Sequence, residues 1–404
     1  MDVQSSATAS TTSVLRVMNE RAVFAEIFRL GKVSRPELAQ VTGLSKPTVA
    51  VTLSNLENAG LLRQVGLRAG PAGRSALLYE VRPQAGHVLA VDIGRGYVRV
   101  ALADLVGEIV ARQEEPSRGP DAGDLVAQLT RLADELADTA GIARGDITLA
   151  VFGTPGIHDK ATGSLHLAVN LPGWEQRDSV ARLADIAGST YVVENDVDLA
   201  AVGEATYGLG RGIRHFVYLS IGTGTGMGVV IDGQLYRGFR GAAGEIGYLP
   251  IGDGDPLLEQ PESRQRGMFE SVASAASVVA TARRLGLTGA TTAKDVFDAA
   301  RAGNPAARQA VDRQIDHVSR ALAGIAAVLD PELVVLGGGV GSHAGDLLTG
   351  PILDRLRNLV ALQPPRIEIS TLGTDAVLLG ALAVGLTGAR DLVLDRAAAP
   401  GRTR

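Results

Sequence analysis

The stretch VDIGRGYVRVAL, Val91 to Leu102, reads as a strand that ends on Asp92, turns through Gly94 and Gly96, and returns as a second strand. Hairpins of this shape hold nucleotide phosphates in some ATP-using enzymes, where small residues let backbone amides approach the phosphate oxygens. Here the tip is Arg95-Gly96-Tyr97, with no Ser, Thr or Lys to meet a phosphate or a metal-bound water. Bulky Arg95 and Tyr97 would crowd phosphates, although Arg95 brings positive charge. A second constellation is Asn195-Asp196, closing the strand-like STYVVEN. A carboxylate that accepts from two vicinal hydroxyls, beside an amide that both donates and accepts, suits a polyol. The same pair at a strand end also serves as a turn or helix cap. The runs GTGTGMG and LGGGVG do not have the G-x-G-x-x-G spacing, so a dinucleotide cofactor site is not expected.

These residues sit in a chain of 404 residues, long enough for two or three domains and a large core. It has no cysteine, which excludes disulfides, thiolate metal sites and cysteine nucleophiles. The six histidines (87, 158, 166, 215, 317 and 343) are scattered, so no metal site is expected. No apolar run approaches the roughly 18 residues of a membrane span, and the first residues, MDVQSSATASTTS, lack the apolar core of a signal peptide. A cytoplasmic protein without membrane contact is expected. The net charge of −5 is uneven: residues 1–86 carry ten Lys/Arg against six Asp/Glu. A basic N-terminal segment on an acidic chain points to a polyanion partner.

The N-terminal segment has helix signals in tight succession. Val14 to Leu30 has apolar residues at helical spacing and stops at Gly31. SRPELAQVTG opens with Ser34, Pro36 and Glu37, a capping box with proline in the first turn, and ends at Gly43. A third helix follows from the Ser45 cap, with Val49, Leu53 and Leu56 as its apolar stripe and Gly60 at its end. Two strands, LLRQVG and ALLYEV, then flank the turn LRAGPAGR. This is the layout of a winged helix-turn-helix. The N-terminal half of its second helix would enter a DNA major groove. Ser45 and Lys46 are then expected at phosphates, and Thr48, Thr52 and Asn55 at base edges. Val51 would pack on thymine methyls, and Arg74 of the wing would enter a minor groove.

Beyond VRPQAG, residues 81–86, three strand signals, a helix over 121–140 and alternating strands and helices repeat twice with different sequences. That describes two similar lobes with a cleft between them. LSIGTGTGMGVVIDGQLYRGFRGAAGEIGYLPI resembles the signature stretch of the ROK family, which groups sugar-responsive repressors and sugar kinases on an actin-like fold. VDIGRG, FGTPG, NLPGW, VVENDVDLAAVGEATYG, FESVAS and LVVLGGGV fall in family order. The expected architecture is α/β: a two-lobed actin-like (ROK) domain over residues 87–390, preceded by an α+β winged helix-turn-helix domain over 14–80. A disordered leader (1–13), the linker 81–86 and a disordered tail (391–404) complete it.

The resemblance implies that Asn195 and Asp196 bind sugar hydroxyls, with Asp196 the base in family kinases. It also implies Glu245, Glu270 and Asn170 as further sugar contacts, and amides of Gly222, Gly224 and Gly226 as a phosphate cradle. Trp174, the only tryptophan, is expected as a packing anchor. Tyr248 stands where the family pattern has a histidine that contacts sugar and ligates a structural zinc. The following GDGDPLLEQPESRQRGM has neither cysteine nor histidine, so its loop must be held by packing and hydrogen bonds or be mobile. Family kinases show Asp-x-Gly-Gly-Thr-Lys at the first hairpin, against Asp92-Ile93-Gly94-Arg95-Gly96-Tyr97 here. The expectation is therefore a sugar-responsive regulator without kinase activity or a cofactor, binding operator DNA as a homodimer or dimer of dimers. Helical residues 305–330 are its candidate dimer face. An ATP-dependent sugar kinase with a DNA-binding extension is the alternative.

Overall fold

Caps and glycines divide the N-terminal part into three helices and a small sheet. A computed structural model describes residues 3–69, 75–118, 122–159, 162–166, 173–174, 176, 178–187, 190–251, 254–259 and 263–398. Helix α1 (Val3–Leu30) buries Val23, Phe24 and Ile27. It starts eleven residues earlier than expected: residues 3–13, read as a disordered leader, continue the helix. That Ser/Ala/Thr run holds neither Gly nor Pro, so nothing stops propagation from the docked part. Strand β1 (Val33–Ser34) leads into α2 (Arg35–Thr42). There the Glu37 carboxylate accepts from the Ser34 amide at 2.9 Å and hydroxyl at 2.7 Å. These bonds and Arg68 hold Glu37 below the usual carboxylate range. Helix α3 (Lys46–Asn58) begins under Ser45, whose hydroxyl oxygen accepts from the Thr48 amide at 3.2 Å. Strands β2 (Leu62–Ala69) and β3 (Ser75–Val81) form the wing in a sheet ordered β1-β3-β2. The Arg68 guanidinium ties the wing to α2 through Glu37 at 2.6 Å.

Two five-stranded sheets of matching topology follow. The first has β4 (His87–Ile93), β5 (Tyr97–Asp104) and β6 (Ile109–Pro116) antiparallel, then α4 (Ala122–Ala140) and β7 (Leu149–Thr154). A hairpin of β8 (Ile157–Asp159) and β9 (Ser164–His166) and the short α5 (Ala184–Ala187) precede β10 (Tyr191–Asn195). Helix α6 (Asp196–Tyr207) then crosses to the second lobe. There β11 (Phe216–Ile221), β12 (Thr225–Ile231) and β13 (Gln234–Leu235) are antiparallel. Five helices pack on that lobe: α7 (Ser263–Arg266), α8 (Met268–Ala273), α9 (Ala275–Arg284), α10 (Ala293–Arg301) and α11 (Pro305–Leu329). The second lobe ends with β14 (Leu333–Gly337), α12 (Gly338–Leu359) and β15 (Arg366–Ile369), before the final α13 (Ala376–Ala398). Strand orders are β10-β7-β4-β5-β6 and β13-β12-β11-β14-β15, a meander plus two parallel strands in each lobe. Along β4, Leu89, Val91 and Ile93 face the α4 side, and Val88 and Ala90 face the α13 side, the period-two alternation of a sheet covered on both faces. Trp174 is buried on the α4 side as a packing residue.

Helices α6 and α13 fill the space between the two sheets. Gly203 of α6 lies against the Ala376 carbonyl, and Gly380 of α13 lies against the Leu199 carbonyl. Any Cβ at either position would clash with that backbone. Helix α13 overturns the expected tail, because it runs to Ala398 and buries Val393 and Leu394 with Val23, Phe24 and Ile27 of α1. By length and composition α13 could also cross a membrane; here half of its apolar window is buried within the protein. Arg21 of α1 bonds Asp391 at 2.6 Å and Asp395 at 2.7 Å, and the Arg390 guanidinium lies 3.3 Å from the Phe28 ring centre. The expected linker is ordered too, as a single 3-10 turn at Pro83–Ala85 whose Pro83 carbonyl accepts from Leu105. The N-terminal domain and the first lobe thus share one apolar core.

Gly380→Ala should destabilise the protein by about 3 kcal/mol, because a backbone carbonyl cannot move aside as a side chain can. Gly324→Ala, on the open side of α11 with nothing within 4 Å of its Cβ position, should stabilise by about 0.5–1 kcal/mol. Urea denaturation of both variants checks the pair, and equal effects would refute the glycine contact.

Candidate functional site

On the N-terminal domain, the face of α3 away from the core presents Lys46, Pro47, Val51 and Ser54 to solvent, with Val51 61% exposed. Thr48 is half-buried, and its hydroxyl lies 2.8 Å from that of Ser45, so both residues shape the helix start. Thr52 corrects an expectation: it is buried with Val49, Leu53 and Leu56 and faces the core rather than a groove. Its position three residues after Val49 and four before Leu56 is the signal that places it there. Asn55 is half-buried and donates to Glu20 at 2.9 Å, so it braces α3 on α1 instead of projecting toward bases. Arg74 lies outside the described residues. Most basic residues of this domain are paired internally, including Arg29 with Glu26 and Arg63 with Glu80. Arg35, Lys46 and Arg82 are exposed cations with no carboxylate partner among the described residues, and Arg35 was not singled out from sequence.

Between the lobes lies a cavity of about 500 Å³ that brings Asn195, Asp196, Glu245 and Glu270 together, with Asp198, Arg95, Arg266 and the Gly222–Gly226 turn on its walls. Its carboxyls arrive from different elements. Asn195 ends β10 and caps α6: its side-chain oxygen accepts from Val197 at 2.9 Å and Asp198 at 3.1 Å, while its amide donates to the Gly156 carbonyl. The cap and the cavity wall are therefore the same residue, and its capping fixes Asp196 at the first turn of α6. Gly244, at φ 92°, lets the chain pass against the Met227 carbonyl and turns Glu245 inward. Glu270 comes from α8 and accepts from the Thr225 amide at 3.0 Å. Asn170 lies outside the described residues. Tyr248 is not among the cavity-lining residues; its hydroxyl donates to the Gln265 carbonyl at 3.1 Å and ties down the loop before α8.

Electrostatics in this cavity are dominated by burial. Asp196 is pushed up to about 7, first by burial and then by Asp92 and Glu245. Asp198, which sequence reading missed two residues beyond Asp196, also rises to about 7 through burial and Glu194, against the pull of Arg237. Burial raises Glu245 and Glu270 as well, with Glu270 adding to Glu245. Such carboxyls hold protons or seek hydrogen-bond donors, which sugar hydroxyls supply. Asp92, the acid of the first hairpin, is paired with Arg99 at 3.1 Å, and burial still lifts it to about 6. Arg99 also bonds Glu114 and lies 5.8 Å from the Tyr97 ring centre, so Tyr97 turns out of the cavity while Arg95 lines it.

Two amides of the Gly-rich turn on the cavity wall are engaged from within. The Gly222 amide, expected as part of a cradle, donates to the Gly224 carbonyl at 2.9 Å. Thr225 donates to Glu270. The loop that lacks zinc ligands is held by Asp255, whose carboxylate meets His317 at 3.3 Å and Arg284 at 3.5 Å, and by buried Leu257. No group of three His, Asp or Glu able to hold a metal occurs among the described residues.

Comparison with known proteins adds the following. Residues 88–387 match the model of the ROK family. A glucokinase of Halalkalibacterium halodurans is 33% identical over 317 residues, spanning 72% of this chain and 92% of that one. A xylose repressor of Caldicellulosiruptor bescii is 25% identical over 392 residues, spanning 92% of this chain and 96% of that one. The crystal structure of a ROK family transcriptional regulator, a homologue of the Escherichia coli MLC protein, superposes over 96% of this chain and 100% of its own with a TM-score of 0.76 at 23% identity.

A raised folded-state pKa means that Asp196 keeps its proton at pH values where the unfolded chain has lost it. Its contribution to stability is therefore full below about pH 4 and is lost as pH rises through 7. Asp196→Asn should match the wild type in stability near pH 4 and exceed it by on the order of 1–3 kcal/mol at pH 8. Thermal or urea unfolding across that range checks this, and a constant difference would contradict the burial of the carboxyl.

Proposed function

The chain belongs to the ROK family, and we infer that it is a DNA-binding transcriptional repressor whose hold on its operator is set by a sugar or sugar derivative bound between the lobes. The observation that carries this reading is the unbroken connection from cavity to DNA-facing helix. The first turn of α6 lines the cavity, α6 packs backbone-to-backbone on α13, and α13 holds α1 through Arg21, Asp391, Asp395 and the shared core. A ligand that bridges Asp196 from one lobe and Glu245 and Glu270 from the other favours a closed cleft. Closure moves α6 against the second sheet, and α13 transmits the movement to the winged helix. One such domain reads a half-site, so operator binding calls for a dimer, and a small rotation then spoils simultaneous docking. Helix α11, the sequence-based candidate for the dimer face, buries Ile315, Val318 and Leu322 in the second lobe and leaves Val328 81% exposed. The repressor would act in the cytoplasm, where its DNA is.

A sugar kinase carrying a DNA-binding extension is the second reading. It is favoured by the glucokinase relative and by Asp196, whose pKa near 7 suits a general base. Against it stand the hairpin tip, the Asp92–Arg99 pair and the Gly222 and Thr225 amides, which already donate within the protein, whereas phosphoryl transfer depends on positioning of the nucleotide's phosphates.

The protein should select a roughly palindromic site from random duplexes. Lys46→Ala should weaken binding to that site and reduce the slope of log K against log salt by about 1, as for one lost phosphate contact. Unchanged affinity and slope would place DNA elsewhere. With ATP, magnesium and hexoses no turnover is expected; turnover of about 1 s⁻¹ that disappears in Asp196→Asn would establish the kinase instead. Arg21→Ala should keep sugar binding while reducing the 5- to 150-fold change in DNA affinity typical of ligand coupling, roughly, toward none. A full response in that variant would break the proposed route through α13.

A further inference from the structure

Helix α1 has two faces. One is buried: Glu20, Val23, Phe24 and Ile27 pack into the N-terminal domain and toward the end of α13. Roughly 180° round the helix, at about 100° per residue, the other face shows Leu15, Met18, Ala22 and Ala25 to solvent. Leu15 is 55% and Met18 60% exposed, and Val14 beside them is 58% exposed. The four follow one another at intervals of three, four and three residues, the seam spacing of paired helices. On α3, Asn55 bonds Glu20 of α1 from the flank between exposed Val51 and buried Thr52. Helix α1 therefore lies beside α3 as seen from the proposed DNA-facing side, and its outer stripe points sideways.

We propose that this stripe of α1 is the contact between the N-terminal domains of two copies of the chain, paired antiparallel across a two-fold axis. Its role in DNA binding rests on the function proposed above; the pairing itself is tested apart from it. A second copy is the occupant the stripe fits. Antiparallel pairing sets Leu15 against Ala25 of the second copy and Met18 against its Ala22, large against small in each layer. A parallel pair would stack Arg29, next along the stripe, on Arg29 of the second copy; the antiparallel pair carries the two to opposite ends. The charges beside the seam are closed within each chain, Arg29 by Glu26 and Arg21 by Asp391 and Asp395, so they need no partner across it. Four residues a side fall well short of the roughly 20–30 of a stable interface. The pair therefore forms between copies already held together, by the rest of a dimer or by adjacent half-sites, at an effective concentration on the order of millimolar. It fixes the separation of the two winged helices, on which docking at both half-sites depends.

The chain has no cysteine, so introduced thiols report only on themselves. Full-length Met18→Cys/Ala22→Cys, oxidised with and without the duplex selected above, should form a covalent dimer in at least one of the two conditions. Trypsin cuts after Arg21, between the two positions, and peptide mapping of that dimer should show residue 18 joined to residue 22. Leu67→Cys, on the wing and 67% exposed, should stay monomeric under the same oxidation. Leu15→Glu should leave the melting temperature unchanged, because the position is exposed, and weaken binding to the selected duplex by about tenfold or more. No covalent dimer, links only between like positions, equal cross-linking by Leu67→Cys, or duplex affinity untouched by Leu15→Glu would each overturn the proposal. A specific disulfide in a chain that selects no duplex would sustain the pair and remove the DNA-binding reading. Duplex binding without the disulfide would do the reverse.

Discussion

The contact between α6 and α13 is the constraint on which the rest of the molecule depends. Two helices normally cross 8–10 Å apart, roughly, with side chains between them. Here Gly203 and Gly380 remove those side chains, and each backbone lies against a carbonyl of the other helix. The outer side of α13 also carries glycines where it meets the first sheet, with Gly385 against Val88. Helix α6 packs Ala200 and Ala201 against Phe216 and Tyr218 of the second sheet. Two sheets are thereby joined through a pair of helices that cannot slide without a backbone clash. Close-packed interfaces of this kind respond to force by shifting as units rather than deforming. The beginning of α6 lines the cavity and the end of α13 packs on the N-terminal domain, so this one contact links the two.

The cavity itself is held open against its own electrostatics. Four carboxyls line it, and burial raises all four above their ordinary range. An empty site of this kind costs stability, which is how strain is commonly stored where a ligand is to bind. Donors from a ligand relieve it, and they do so best when acids from both lobes are reached at once. The same desolvation that makes the acids unfavourable alone strengthens each hydrogen bond formed to them. On the proposed reading, closure and ligand recognition are one event.

Much of the fold was legible in sequence because its boundaries are set locally. Ser34 with Glu37, Ser45 with Pro47, and Gly31 and Gly43 punctuate the helices where they were expected to. Strand patterns in HVLAVDIG and HFVYLSIG located the sheets. The errors arose where tertiary contacts decide. Residues 390–398 mix Arg390, Asp391, Asp395 and Arg396 with leucine and valine and look like a tail, yet Arg390, Asp391 and Asp395 meet α1. Thr52 has a polar side chain on a buried face, and residue type was given weight over periodicity. Asn195 and Asp196 were correctly drawn to the cleft, but Asp198 and the inward turn of Glu245 at Gly244 follow from backbone geometry.

Those engaged amides bear on how a kinase-like frame can serve another purpose. A phosphate site needs donors that remain free until the ligand arrives, and orphan donors in a buried turn are costly. Satisfying such donors internally stabilises the protein. Glu270 does this for Thr225 while keeping its second oxygen available at the cavity. Asp92 is neutralised in the same way by Arg99. Each contact closes a polar group that catalysis would have kept open, and each stiffens the lobe in which it occurs. On the proposed reading this stiffness is useful, because a ligand's differential contacts then appear as movement of whole lobes instead of being absorbed by loops. The residues proposed to recognise hydroxyls, Asn195, Asp196, Glu245 and Glu270, stay together on the cavity wall, which is what that reading requires of a sensor.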